Sequence, residues 1–426
     1  MNTHTVLLVI NVVAVAAVLG FLLYRVVVAR RTPDTTTPEN LEPFFNDDVL
    51  EGAHLERALG VALVALVIVI IGLLTYFIWE PFREDAAASG FKDRSIERGA
   101  ILFANSQSKQ YDSTKSLLCA NCHGVDGGGG VASFTVKSED PRCDPTAAIT
   151  QDLADNQPYC LPKQVSWAAP SLQLAGLRYS RDQLTTILTY GRPGTPMPSW
   201  GIASGKGILQ EQGIEDLVNY VESLATTPDK AQTAAAAEVR DCSTRSACVG
   251  KAQLDDPKVQ AAADKWVTDA KAELAAAVAQ RAQQTSDTDI ATYDKLVAQK
   301  QETVQVAEAW QQSTQSATDG QILFMNNCAR CHTRGWSYFD PANPEANPAM
   351  GIMGGGAYGP NLTNGDVNGQ FPPPDGEAQL FAWISEGVPA NEQYGIRGIS
   401  SGRMPHFGAV LTKTQIEAIM AYERSL

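Results

Sequence analysis

The chain has 426 residues, enough for two to four domains, and its formal net charge at pH 7 is −14. The acidic balance argues against nucleic acid as a partner and favours a soluble surface. The eight cysteines are the informative part of the composition, because four of them fall into one repeated pattern and the other four remain for disulfide bonds.

Two uncharged stretches open the chain. Residues 6–24 carry no charged side chain and are followed by several arginines, and residues 58–79 form a second uncharged run. Each run is long enough to cross a hydrocarbon layer of about 30 Å as a helix. A cleaved signal peptide is the alternative for the first run, but its basic residues follow the apolar core instead of preceding it. The sequence therefore predicts a two-helix membrane anchor over residues 1–84.

The basic residues between the two runs predict the topology of this anchor. The positive-inside rule places the loop from Arg25 to Arg57 in the cytoplasm. Both chain ends then lie outside the cytoplasm, so we expect a plasma-membrane protein whose folded domains are extracytoplasmic. Disulfide bonds also form on that side of the membrane.

A C-x-x-C-H pattern occurs twice, as CANCH at residues 119–123 and as CARCH at residues 328–332. This pattern attaches c-type haem. Two thiols three positions apart can each form a thioether to one porphyrin edge, and the next histidine offers a nitrogen to the iron. One copy alone could be half of a zinc site, but two copies predict two covalently bound haem c groups. The predicted attachment residues are Cys119, Cys122, Cys328 and Cys331, and the predicted iron ligands are His123 and His332.

A methionine in a proline-containing loop follows each motif at a similar distance. Met197 lies 74 residues after His123, Met404 lies 72 residues after His332, and both read Met-Pro-x-aromatic-Gly. Proline beside methionine makes an extended, stiff loop, and a neutral sulfur opposite histidine favours ferrous iron. The sequence predicts Met197 and Met404 as the second iron ligands. The rivals at the second site are Met350, Met353 and His406.

Further short motifs recur in the same order around both sites. The pattern G-x-I-L-F precedes each C-x-x-C-H, and the pattern I-E-x-x-x-x-Y follows each methionine. A proline before a short apolar turn lies between motif and methionine, as Pro170 in the first copy and Pro360 in the second. This repeated order indicates a domain duplication.

With these motifs both copies resemble class I cytochromes c. In that family an N-terminal and a C-terminal helix cross, and a loop methionine is the sixth iron ligand. The resemblance covers roughly residues 93–226 and 317–426, and the first copy departs from the pattern by an insert at about 131–166. It implies that the carbonyl groups of Pro170 and Pro360 accept a hydrogen bond from the proximal imidazole, which would fix the orientation of the ring.

The rest of the sequence completes the predicted organisation. Proximity favours the disulfides Cys143–Cys160 and Cys242–Cys248, with four free thiols as the alternative. Residues 252–317 are rich in helix formers and are interrupted near Thr285, which predicts a helical hairpin. The predicted fold is mainly α, with an N-terminal transmembrane helix hairpin followed by two class I cytochrome c domains joined by a helical spacer. The predicted domains are residues 1–84, 85–228, 229–317 and 318–426, in the order anchor, first cytochrome, spacer, second cytochrome.

Two protein ligands on each iron leave no open position for a substrate, so the ligand set predicts one-electron transfer and no enzyme activity of the chain's own. The chain is similar to the membrane-anchored di-haem cytochrome c subunits of respiratory complexes, in particular those of actinobacterial bc-type menaquinol–cytochrome c reductases, although the well-known form has a single C-terminal anchor. The resemblance implies cytochrome b, a Rieske protein and a terminal oxidase as partners. The alternatives are a di-haem subunit of a cbb-type haem-copper oxidase and a free-standing membrane-anchored electron carrier; the tandem methionine ligation argues against a sensor or assembly protein.

Overall fold

The structure, a computed structural model, describes most of the chain from residue 52 onward. The described residues are 52–144, 146, 148–242, 247–340, 343–344 and 351–426, with positions 13, 16–17, 20–21, 23–24 and 27. Most of the first predicted membrane helix, nearly all of the loop that follows it, and Met350 therefore lie outside the described residues. The chain divides into two compact units, residues 1–86 and 87–426.

A single long helix, α1, occupies Ala53–Phe103 and contains the second apolar run. Its apolar part is not buried. By length and composition, α1 is the one helix in the described part of the chain that could cross a membrane. Its last turns differ in character, because Ser95, Gly99 and Phe103 are buried at four-residue spacing, which places them on one face.

The first copy of the repeated pattern follows α1 and contains a two-stranded ribbon. Its elements are α2 Ala120–His123, β1 Gly130–Val136, α3 Gln151–Asn156, β2 Lys163–Ala169, α4 Ala175–Arg178, α5 Arg181–Tyr190 and α6 Glu211–Ser223. Strands β1 and β2 pair antiparallel, with Gly130 opposite Ala169 and Val136 opposite Lys163. The ribbon and α3 make up the insert that distinguishes this copy from the second.

The connecting region is helical and is not a free linker. Its elements are α7 Pro228–Arg240, α8 Lys251–Leu254, α9 Pro257–Ala282 and α10 Asp287–Ser316. Helices α9 and α10 pack along each other, and the hydroxyl of Ser286 caps α10 by accepting a hydrogen bond from the Asp289 N–H at 3.1 Å. Val259 and Trp310, at the base of this pair, are buried together with Ile322 of the second copy.

The second copy is built around the largest buried cluster in the described part of the chain. Its elements are α11 Asp319–Asn327, α12 Ala329–His332, α13 Asp366–Gln370, α14 Gly376–Glu386, β3 Gln393–Tyr394, β4 Gly398–Ile399 and α15 Lys413–Ser425. Phe324 and Ile419 are fully buried in this cluster, and Ala231 and Ala235 of α7 pack into it as well. Part of the predicted spacer therefore packs on the second copy.

Both disulfide pairings favoured by proximity are present. Cys143 and Cys160 are bonded with Cα atoms 5.5 Å apart and close the loop between β1 and β2. Cys242 and Cys248 are bonded with Cα atoms 5.8 Å apart and close the loop after α7. The cysteines of the two C-x-x-C-H motifs are not in disulfides.

In each copy the first and last helices cross where glycine allows the backbones to touch. A Cβ atom on Gly99 of α1 would collide with the carbonyl oxygen of Asp216 on α6, and one on Gly320 of α11 would collide with the carbonyl oxygen of Ala418 on α15. Both glycines open the G-x-I-L-F motif, and both carbonyls belong to the third residue of I-E-x-x-x-x-Y. The same residues of the repeated motifs thus meet in both copies.

A pair of aromatic rings packs at each helix crossing. The rings of Phe103 and Tyr220 lie 5.2 Å apart in the first copy, and those of Phe324 and Tyr422 lie 5.3 Å apart in the second. Ring pairs at this distance contribute about 0.5–1.5 kcal/mol beyond their buried area. The final residues of the two repeated motifs therefore stabilise the scaffold.

Candidate haem sites

The proximal histidine of the first copy ends helix α2 and is oriented by a proline carbonyl. His123 Nδ1 lies 3.0 Å from the carbonyl oxygen of Pro170. Because a carbonyl can only accept, the proton is on Nδ1 and the lone pair of Nε2 is left for a metal. Burial lowers the pKa of His123, the Pro170 hydrogen bond opposes this, and the nearby charge of Arg330 lowers the pKa further. The ring is thus held in the neutral form that ligates iron.

The second copy repeats this arrangement in a more buried setting. His332 is 8% exposed, its Nδ1 lies 3.0 Å from the carbonyl oxygen of Pro360, and burial lowers its pKa. The N–H of Gly359 donates to the carbonyl oxygen of Cys331 at 2.8 Å, and a Cβ atom on Gly359 would run into the imidazole ring. Gly359 is not among the predicted site residues, although it directly precedes Pro360 in the sequence.

The predicted attachment cysteines precede the two histidines in sequence. Burial raises the pKa of Cys119 to about 12 and raises that of Cys328 well above its usual range. No group of three or more His, Cys, Asp or Glu side chains in the described ranges could hold a metal ion by itself. The zinc alternative therefore has no ligand set there, whereas a haem iron needs only the histidine and one further ligand.

The methionine loops are fixed to the preceding helix by matching backbone hydrogen bonds. The N–H of Trp200 donates to the carbonyl oxygen of Leu188 at 3.0 Å, and the N–H of Phe407 donates to that of Ile384 at 3.1 Å. The glycines that follow these aromatic residues donate to the next carbonyls, Thr189 and Ser385, at 3.1 and 2.9 Å. The aromatic-Gly part of the motif thus positions the loop, and methionine stands three residues before the aromatic residue.

A glycine at the end of each preceding helix lies against the methionine backbone. Gly191 after α5 and Gly387 after α14 have φ of 68° and 64°, a region that side chains disfavour. A Cβ atom would lie 2.8 Å from the carbonyl oxygen of Met197 in the first case and 3.0 Å from that of Met404 in the second. This pair is not among the residues predicted from sequence, and the signal for it is a Gly-x-Pro pattern that occurs in both copies.

At the second site, the predicted ligands line one cavity. His332 and Met404 both line a space of about 260 Å³, together with Trp383, Tyr394 and Glu423. An imidazole and a neutral thioether in one apolar cavity form a donor set that fits haem iron. Ligation by Met404 stays a prediction, which this placement favours.

The rivals of Met404 lie elsewhere or outside the described residues. The sulfur of Met353 accepts a hydrogen bond from the hydroxyl of Thr333 at 3.5 Å, and Met353 lines a different, small cavity of about 20 Å³ beside Trp336. His406 is exposed and is not among the residues that line the larger cavity. Met350 lies outside the described residues.

At the first site, Met197 is half-buried in a loop closed by its own backbone. Its carbonyl oxygen accepts from the N–H of Arg192 at 3.1 Å, and its N–H donates to the hydroxyl of Thr195 at 3.2 Å. Iron ligation by Met197 stays a prediction, as it does for His123 and His332.

Two family models match the chain. Residues 96–225 match the model described as cytochrome c, and residues 315–422 match the one described as cytochrome c oxidase, cbb3-type, subunit III. No curated protein and no solved structure matched the chain. The chain therefore contains two cytochrome c domains, which indicates covalently bound haem c and a haem electron-transfer function.

Proposed function

We propose that the chain is the di-haem c subunit of a respiratory membrane complex and passes electrons from a bc-type menaquinol reductase toward a terminal oxidase. Bound haem c supplies one-electron oxidation and reduction, and the proposal gives the chain no substrate site of its own. The observation that carries the proposal is the direct packing of two cytochrome c domains in a chain that also has a membrane-length helix. Residues 1–84 serve as the anchor, 85–228 and 318–426 as the haem domains, and 229–317 as their connection.

Contacts between the two sites support electron exchange within the chain. Arg330, inside the second C-x-x-C-H motif, donates through Nη1 to the carbonyl oxygen of Ala168 at 3.4 Å, and its charge acts on the imidazole of His123. The rings of Trp167 and Trp336 meet edge to face at 5.4 Å. The end of β2, next to the proline that orients the first histidine, therefore adjoins the second motif.

The anchor supports placement at a membrane. The apolar part of α1 is exposed in the described chain, and exposed apolar surface of this length is stable in lipid and not in water. With the first run as a second helix and its basic loop in the cytoplasm, both haem domains would face the extracytoplasmic side.

A subunit of a cbb-type haem-copper oxidase is the second candidate. The specific observation in its favour is the match of residues 315–422 to a family described as cbb3-type subunit III. This match covers the second domain alone, and residues 96–225 match the general cytochrome c family. We therefore retain the reductase-linked assignment as the first.

Purification of the full chain from native membranes in mild detergent tests the assignment. We expect two c haems per chain in a pyridine haemochrome assay, together with co-purifying b-type haem and the electron paramagnetic resonance signal of a Rieske cluster. Copper and a haem-copper subunit without the Rieske signal would establish the second candidate instead. A reporter inserted between Arg31 and Glu51 should report a cytoplasmic position, and the same reporter after Leu426 serves as the extracytoplasmic control.

A further inference from the structure

Glu423 is a buried carboxyl group in the second haem cavity. It lies on α15, is 5% exposed, and lines the same cavity of about 260 Å³ as His332 and Met404. Among the described residues, its side chain has no hydrogen bond and no ion pair, and burial raises its pKa to about 8. A buried carboxylate without a partner is costly, so burial favours the protonated form of the group at neutral pH.

The charged and titratable groups around Glu423 do not neutralise it. The other titratable or charged residues that line the cavity are His332, Asp366, Tyr394 and Arg397. On α13, Asp366 accepts a hydrogen bond from the side-chain amide of Asn361 at 2.8 Å. From α14, the cavity is lined by Leu380, Trp383 and Ile384, and the acidic residues of that helix are not among its lining residues. On α11, the last two turns carry no charged side chain. Burial, and after it the charge of Glu423, raise the pKa of the Cys328 thiol, which directly follows this helix.

The neighbouring arginine on α15 is engaged elsewhere. Arg424 donates through Nη1 to the side-chain oxygen of Asn368 at 2.8 Å and through Nη2 to the carbonyl oxygen of Phe371 at 3.0 Å. These bonds tie the end of α15 to the segment that forms one wall of the cavity. Glu423 therefore faces the cavity without a nearby cation bonded to it.

The domain duplication provides an internal comparison. Glu423 directly follows the final tyrosine of I-E-x-x-x-x-Y, and the residue at that position in the first copy is Val221. Val221 is buried at 4% exposure. The scaffold thus accepts a buried apolar residue at this position, so its packing does not require a carboxyl group there.

We propose that Glu423 takes up one proton when the second haem site gains one electron and releases that proton when the site loses the electron. This inference rests on the proposed electron-transfer function of the same site. The electron comes from the reduced partner of the chain, or from an electrode in the experiment, and the proton comes from solvent. One added electron makes the cavity more negative, which favours the neutral carboxylic acid over the carboxylate. Charge in the cavity is then balanced by one electron and one proton together.

Redox titration of both haems in the purified full chain, at several pH values from 6 to 10 (about two units on either side of the shifted pKa), tests the proposal. One of the two potentials should fall with rising pH, with a slope of up to about 59 mV per pH unit, since a tenfold change in proton concentration corresponds to that shift for a one-electron couple. Glu423→Gln should abolish the slope at that haem. Glu423→Leu, which restores the apolar character of Val221, should do the same and guards against misfolding of the first variant.

The propionate groups of haem can also titrate, so the design includes controls for them. Both haems carry propionates, and only the second site has Glu423. Asp216→Asn changes a buried acid of the first domain and should leave the slope unchanged. In the infrared difference between reduced and oxidised protein, a protonated carboxylic acid signal should appear on reduction and be absent from Glu423→Gln.

Either of two results overturns the proposal. The first is a wild-type protein with no pH-dependent potential, and the second is a slope that persists in Glu423→Gln and Glu423→Leu. Failure of the proposed respiratory partnership would leave these titrations unaffected, because an electrode supplies the electrons. Failure to bind two haems would show in the haem count before any titration.

Discussion

At the third position of the motif I-E-x-x-x-x-Y and directly after its tyrosine, the first domain has Asp216 and Val221, whereas the second has Ala418 and Glu423. Each domain therefore buries one carboxyl group on its last helix, but at a different place. Asp216 is at the helix crossing, and Glu423 lines the cavity that also contains His332 and Met404. Although the scaffold contacts are the same in both copies, the buried charge has a different position and a different environment.

The environment of Asp216 stabilises its ionised form. Arg98 donates two hydrogen bonds to its carboxylate, at 2.8 and 2.7 Å, and Ser95 donates a third at 2.6 Å. Burial raises the pKa of Asp216, but the hydrogen bonds from Arg98, Ser95 and Gln212 outweigh it, so the pKa is lowered overall. On the proposal made above for Glu423, the same fold holds one acid in a structural ion pair and the other as a group that changes its protonation state.

The largest expected effect concerns the methionines that the two domains share. Met404→Ala and Met197→Ala should each remove about half of the weak near-infrared band of Met–Fe ligation in oxidised protein, because each removes one of two equivalent ligands. Both variants should keep two attached haems, and each should lower one reduction potential. Met353→Ala is the matched control, since its sulfur is bonded to Thr333 away from the cavity. A band halved by Met353→Ala and unchanged by Met404→Ala would contradict the assignment.

Substitution of the glycine at the helix crossing should destabilise both domains to a similar extent. Gly99→Ala and Gly320→Ala place a methyl group against a backbone carbonyl that cannot move freely, so each should cost about 1–3 kcal/mol of unfolding free energy. Gly90→Ala, on the same helix as Gly99 with only the end of the Arg94 side chain near it, should be neutral or stabilising. Peptide-resolved hydrogen exchange separates the two domains. A cost at one crossing only would show that the copies differ there.

The smallest expected effect is that the stability of the two domains changes with pH in opposite directions. The folded-state pKa of Asp216 lies below its unfolded value of about 3.9. The ionised carboxylate therefore stabilises the folded state above that pH, and this stabilisation is lost as the pH falls through the lowered pKa. The folded-state pKa of Glu423 is raised to about 8, so stability is highest below its unfolded value of about 4.3 and falls as the pH rises toward 8.

Asp216→Asn should therefore lower the free energy of unfolding by on the order of 1 kcal/mol near neutral pH, because Arg98 is half exposed and the ion pair is partly screened. It should also reduce the loss of stability of the first domain at acidic pH. Glu423→Gln should reduce the loss of stability of the second domain at alkaline pH. Hydrogen exchange measured across pH checks both, and pH profiles of the same sign in the two domains would contradict the prediction.

The predicted attachment cysteines and histidine ligands can be identified from sequence because their spacing is set by bonds. Two thioethers and one iron ligand on a single porphyrin require C-x-x-C-H within five residues, and no tertiary knowledge is needed to see it. The backbone contacts of Gly191 and Gly387 depend on how a loop returns to a helix. Such contacts between distant segments leave little trace in one sequence.

The similar histidine-to-methionine spacing in the two copies does not reflect a shared loop structure. The histidine-to-methionine distances are nearly equal, but 47 residues separate His123 from Pro170 and only 28 separate His332 from Pro360. The first copy has its extra residues in the β1–β2 ribbon, and the second has its own between the proline and Met404, where β3 and β4 lie. Two unrelated inserts of similar length therefore make the two histidine-to-methionine distances nearly equal. The repeated Met-Pro-x-aromatic-Gly motif was the sound evidence, because its hydrogen bonds do recur.

The interface between the two domains has a consequence for kinetics. The N–H of Tyr338 donates to the carbonyl oxygen of Ser166 at 2.7 Å, and the buried Arg178 donates to the side-chain oxygen of Asn327 at 2.8 Å, so the first domain is bound to the second at several points. A partner held in place has a constant effective concentration, unlike a carrier that must diffuse to its target. Electron transfer between the two domains should therefore be first order, with a rate that does not depend on protein concentration or ionic strength. The rate of association with other proteins should still depend on salt concentration, because it involves charged surfaces.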